Sequence, residues 1–78
     1  MPSPPISDLI GSMTAAAWRY TLARSRHRAD SPSVKAARKV LVEGIPLSNA
    51  GRMYDVERQN VRKAALSIWA IWQEVRTD

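Results

Sequence analysis

Cysteine is absent from this 78-residue chain, which excludes a disulfide framework and a thiolate metal site and leaves core packing alone to hold the fold. No stretch approaches the ~20 consecutive apolar residues of a membrane span. The opening Met1-Pro2-Ser3-Pro4-Pro5 lacks the basic run followed by an apolar run that marks a signal peptide. A soluble, cytoplasmic protein without a membrane partner is therefore expected. There is no glycine-rich phosphate loop, and the single histidine, His27, has no evident nucleophile, cysteine or carboxylate cluster to work with. Glu43, Asp55 and Glu57 fall at expected helix ends and turns rather than as a close pair in an apolar setting. Neither an enzyme, a metal site nor a cofactor is expected. Internal repeats and low-complexity tracts are also missing.

What the sequence does carry is positive charge. Lysine and arginine number 12 against 7 aspartate and glutamate, a net charge of +5, with an ordinary hydrophobic content of 45%. Such a surface attracts polyanions if the charges cluster and merely aids solubility if they do not. The length allows one domain. At this size folding buries only roughly 60% of the unfolded surface, so a second copy of the chain is a natural source of added stability.

Residues 1–12, with three prolines, Ser3, Ser7, Gly11 and Ser12 around a small apolar cluster of Ile6, Leu9 and Ile10, read as a flexible arm ahead of a domain at 13–78. Thr14 can cap a first helix over about 14–26, with Ala15, Trp18 and Leu22 at helical spacing. The basic run Arg24, Arg26, His27 and Arg28 at its end admits two readings, complementing the helix dipole or touching phosphate. Ser31 and Pro32 open a second helix over about 32–43, striped by Val34, Ala37, Val40 and Leu41, and Gly44 and Pro46 close it. Beyond lie a short segment from Leu47 to Tyr54, a turn at Asp55, and a run to Arg76 free of glycine and proline. In that run Val61, Ala65, Ile68 and Trp72 recur at helical spacing, widened by Ala64 and Trp69. The fold class expected is all-α, a small domain of about four helices.

The last two segments satisfy the requirements of a helix-turn-helix from about Leu47 to Leu66. Such a motif needs a small residue where the helices touch, a turn former between them, and branched apolar residues behind. Ala50 and Gly51 supply the first, Asp55 the second because aspartate tolerates left-handed geometry, and Val56 and Val61 the third. In that frame Arg58, Gln59, Arg62 and Lys63 are the base-reading candidates. Arginine bonds bidentately to guanine and glutamine to adenine, each worth ~1–3 kcal/mol of discrimination. Ser48, Asn49, Arg52 and Asn60 are placed to touch the phosphate backbone and set the docking angle. The bland alternative is a solvated polar face on an ordinary helical bundle.

The run Ala36-Ala37-Arg38-Lys39-Val40-Leu41-Val42-Glu43-Gly44-Ile45-Pro46, continued through Gly51 to Val61 and on to Ile68-Trp69-Ala70, resembles the KorA/TrfB family of plasmid repressors. Shared are an Ala-Arg-x-Val-Leu-Val-acidic-Gly-x-Pro run, a gap-free helix-turn-helix, and a Trp-Ala pair late in the recognition helix. The similarity spans about 13–73. It implies an all-helical homodimer that binds a palindromic operator in double-stranded DNA and represses promoters of a mobile element, with base-reading positions falling on Arg58, Gln59, Arg62 and Lys63. Two departures stand out: Glu57 replaces a small hydroxyl residue, and the chain reaches Asp78 without the family's separate dimerisation region, so a dimer has to be built elsewhere.

Trp18, Trp69 and Trp72 all lie on apolar stripes and are expected in the core rather than stacking on bases. Ile71 and Trp72, the most exposed of that edge, would form a self-association patch with Ile6, Leu9 and Ile10. A rival function is a small mobile-element protein that uses the same scaffold to bind a protein partner in a host defence complex, as an anti-CRISPR does. A third is non-specific nucleic-acid binding, in which charge matters and Gln59 and Asn60 do not.

Overall fold

Thr14 takes an extended conformation and its hydroxyl accepts from the Ala17 N–H at 3.0 Å, which starts helix α1 (Ala15–Arg24). The second helix, α2 (Pro32–Leu41), begins with Pro32 in its first turn, where the missing N–H costs nothing. Ser31 ahead of it makes no side-chain cap, contrary to expectation. Gly44 sits at φ +74° and turns the chain, so that the Ile45 N–H reaches back to the Lys39 carbonyl at 3.1 Å. Two further helices follow, α3 (Leu47–Tyr54) and α4 (Arg58–Arg76). The computed structural model describes residues 8–76, and among them there is no strand. The protein is a small all-α domain, and none of its described helices is long and apolar enough to cross a membrane.

Helix α2 sits at the centre because it is apolar on two sides. Val34, Ala37 and Leu41 enter one cluster with Trp18 of α1 and Ala64, Ala65 and Ile68 of α4. Ala36 and Val40 enter a second with Ala50 of α3 and Val61 of α4. Small residues on α2 let both neighbours come close, and the burial of Ala36 beyond the expected stripe is what makes the helix two-sided. Trp18 is 3% exposed, whereas Trp69 and Trp72 are half-buried against the first cluster.

The segment expected as a loose arm behaves differently over 8–12. Leu9 is 3% exposed and joins the first cluster with Met13, and Ile10 packs against the second. The Gly11 and Met13 N–H groups donate to the Val40 and Leu41 carbonyls, both at 2.9 Å. Those carbonyls belong to the last turn of α2, which has no partner of its own in the helix. Docking the segment there satisfies them in a dry setting. The anticipated self-association patch is therefore corrected: Leu9 and Ile10 face the domain's own interior, and Ile6 lies outside the described residues.

One buried polar atom stands out. Thr21 is fully buried in α1 and its hydroxyl has no hydrogen-bond partner among the described residues. An unpaired buried hydroxyl costs about 1–3 kcal/mol, and valine offers nearly the same shape without it. Thr21→Val is expected to stabilise the domain by about 1 kcal/mol, raising Tm by about 4–8 °C. A Tm that stays put or falls on a calorimetric scan would mean that the hydroxyl has a partner.

Candidate nucleic-acid interface

The geometry of this face is set where α3 meets α4. Tyr54 ends α3, Asp55 adopts φ 55° and ψ 48°, and the Val56 N–H returns to the Gly51 carbonyl at 2.8 Å. This left-handed cap reverses the chain within Asp55, Val56 and Glu57. Gly51 faces the turn so closely that a Cβ on it would lie 2.5 Å from the Val56 carbonyl oxygen and 3.7 Å from Cγ2 of Val61. Val61 is fully buried beneath, and Val56 and Tyr54 close the side. The two helices are thus clamped through backbone contact, which fixes the direction of α4 relative to α3. Gly51 at the contact, Asp55 in the turn and Val56 and Val61 behind it make up this junction between α3 and α4.

Arg58, Gln59 and Asn60 occupy the first turn of α4, and Arg62 and Lys63 the second; all five are exposed. At about 100° per residue, Arg58, Gln59, Arg62 and Lys63 spread over roughly 140° of the helix surface. Val61, Ala64, Ala65 and Ile68 take the opposite side and are buried. Asn60 stands further round, in one row with Lys63 and Ser67 by the same spacing. On α3, Ser48, Asn49 and Arg52 are exposed, and Arg52 donates to Oδ1 of Asn49 at 3.4 Å. The eight sequence-selected residues therefore sit on two adjoining helices, all open to solvent. Met53, on the same helix α3, is 54% exposed. An eight-residue helix buries one narrow face, and Ala50 and Gly51 already fill it.

Among the described residues no carboxylate pairs with Arg52, Arg58, Arg62 or Lys63. Asp55 and Glu57, the carboxylates nearest in sequence, are exposed and engage none of these cations. The Glu57 backbone carbonyl accepts from Asn60 and Val61 at 3.0 and 3.1 Å, so the residue starts α4 through its main chain. Charge elsewhere is handled differently. Oε2 of Glu43 takes Lys39 at 2.8 Å and Arg38 at 3.1 Å, bracing the end of α2. The hydrogen bond from Lys39 holds the Glu43 carboxyl below its ordinary value, and the same bond raises the Lys39 ammonium above 10.5. Those two cations are engaged internally, whereas Arg52, Arg58, Arg62 and Lys63 form no ion pair among the described residues.

Away from this face, an open groove of about 540 Å³ runs between α1 and the end of α4, with Tyr20 and Trp72 among its lining residues. Trp72 lies roughly 20 Å along the helix from Gln59 at 1.5 Å per residue, so the groove and the polar face are separate. The described residues hold no group of three or more His, Cys, Asp or Glu side chains able to share a metal ion. His27 instead bonds through Nε2 to Oγ of Ser67 at 2.9 Å. Sequence reasoning could not find that contact, since the partners lie forty positions apart. Comparison with family models, with curated proteins and with solved structures finds no match.

Proposed function

We propose that the protein is a sequence-specific DNA-binding transcriptional regulator, in which α3 and α4 act as a helix-turn-helix and α4 enters the major groove N-terminus first. The observation that carries this reading is the exposed set of Arg58, Gln59, Arg62 and Lys63 on the first two turns of α4, with no carboxylate partner among the described residues. Bases present donors and acceptors that these side chains match, and phosphates attract the cations among them. Ser48, Asn49 and Arg52 supply contacts to the backbone, which position the protein without carrying sequence information. The clamp at Gly51 supports the same reading, because a reading helix needs a fixed angle to the helix that grips the backbone. The resemblance to the KorA/TrfB repressors adds that the regulator is a repressor belonging to a plasmid or phage, acting in the cytoplasm on the nucleoid. It also adds the homodimer, for which a palindrome with half-sites about 34 Å apart is the matching target.

Selection of bound sequences from a random duplex library at about 150 mM salt, near physiological ionic strength, tests this. A palindrome is expected to emerge. Gln59→Ala should weaken binding to it by about 1–3 kcal/mol, 5–150-fold, while leaving binding to unselected duplexes nearly unchanged. Arg62→Ala should weaken binding to the palindrome by more than it weakens binding to unselected duplexes. Arg52→Ala should weaken both alike. If no sequence emerges and binding is merely salt-sensitive, the regulator reading fails. A protein partner, as in inhibition of a host defence complex, would then be the reading to test by pull-down.

A further inference from the structure

The loop between α1 and α2 carries Arg26, His27 and Arg28, and its conformation is held at several points. The Ser25 hydroxyl donates to the Leu22 carbonyl at 2.9 Å and accepts from the His27 N–H at 3.2 Å. At its far end the Ser31 N–H donates to the Arg28 carbonyl at 3.1 Å. The His27 ring then latches the loop onto Ser67 of α4. Ser67 stands four residues past Lys63 and eight past Gln59, about 6 and 12 Å along the helix axis. It also shares a row with Asn60 and Lys63. The loop is therefore moored to the flank of the face proposed to read DNA, at a point on α4 about two turns beyond Gln59.

The cations on this loop are mostly uncommitted. Arg26 is exposed and has no ion pair or hydrogen bond among the described residues. Arg28 meets Asp30 at 3.5 Å with both side chains largely in solvent, an arrangement that contributes little and is screened by salt. Arg24, by contrast, is occupied: its guanidinium lies 3.5 Å from the Tyr20 ring centroid and donates to the Tyr20 carbonyl at 3.2 Å. The geometry points to Arg26 and Arg28 as a second phosphate-contacting site on duplex DNA, on the Ser67 side of the base-reading turns, with His27 and Ser67 as positioning residues. This rests on the proposed DNA-binding role and extends it to an element outside α3 and α4.

Salt dependence of binding tests it, because each phosphate neutralised contributes about 0.9 to the slope of log affinity against log salt. The double variant Arg26→Ala/Arg28→Ala is compared with the unmodified chain on a selected duplex and on a scrambled one. The slope is expected to fall by about 2 on both duplexes, making the loss of affinity between 50 and 200 mM salt about tenfold smaller, with the preference between duplexes unchanged. Arg26→Lys/Arg28→Lys should restore the slope, and Ser67→Ala should give a partial fall. Removing two other exposed cations, Arg19→Ala/Lys35→Ala, should leave the slope closer to that of the unmodified chain. An equal fall there would overturn the site in favour of net charge. If the unmodified chain keeps its sequence preference while the loop variants keep its slope, the inference fails and the regulator reading stands; if the unmodified chain binds neither duplex, both fail.

Discussion

Replacing Gly51 by alanine is expected to destabilise the protein by about 2 kcal/mol, although in most helices the same change stabilises. Alanine in place of an interior glycine normally gains about 1 kcal/mol. Here the new Cβ would meet the Val56 carbonyl oxygen at 2.5 Å. That atom is backbone and cannot rotate aside, so the turn itself must move. Overpacking of this kind costs about 1–3 kcal/mol, occasionally more, and a rigid neighbour puts the cost at the upper end. The sign decides the matter: a lowered urea midpoint with unchanged slope means that the close approach is real. Increased stability would show that α3 and the turn are further apart. Affinity for a selected duplex should fall by more than the lost stability explains, since shifting α3 against α4 moves Arg52 relative to Gln59 and Arg62.

Trp18→Ala should have the larger effect on stability, about 3–5 kcal/mol, the usual cost of removing a buried large aromatic side chain. Trp18 joins α1 to α2, α4 and the docked segment, through a cluster that contains Leu9, Met13, Val34, Leu41 and Ile68. Total stability for a chain of this length is only roughly 4–12 kcal/mol at 0.05–0.15 kcal/mol per residue. The variant should therefore be partly unfolded at 37 °C, visible as lost far-ultraviolet circular dichroism. Tyr20→Ala, two positions on but 45% exposed, should cost under about 1 kcal/mol, as surface substitutions generally do. Similar losses for both would mean that α1 does not pack through the Trp18 face.

Much of the local architecture was legible because it rests on contacts within a few residues. Thr14 bonds three positions on, Pro32 suits the first turn of a helix, and Gly44 and Asp55 take the left-handed conformations that their types tolerate. The small contact at Gly51 was also readable, since only a narrow residue fits where two helices touch. The exposure of Arg58, Gln59, Arg62 and Lys63 followed from the period of their apolar neighbours.

Other features needed the assembled molecule. Composition makes 8–12 a loose segment, and only the presence of the unsatisfied α2 carbonyls of Val40 and Leu41 gives its N–H groups somewhere to bind. Ser31 has the right side chain for a cap and makes no such bond. Trp18, Trp69 and Trp72 look alike on apolar stripes, yet Trp18 is buried in a cluster with α2, α4 and the Leu9–Met13 segment while the other two lie toward the end of α4 and are half-buried.

By itself, then, the sequence determined the all-α class, the placing of four helices, the Thr14 cap and the turns at Gly44 and Asp55, and which side of α4 faces water, because these depend on periodicity and near-neighbour hydrogen bonds. Tertiary structure alone decided that α2 is buried on two sides, that residues 8–12 cap it, and that the loop bearing Arg26 and Arg28 is tied to α4 through His27 and Ser67. Each of these joins residues far apart in the chain, and no local preference encodes which distant partner a side chain or a carbonyl will meet.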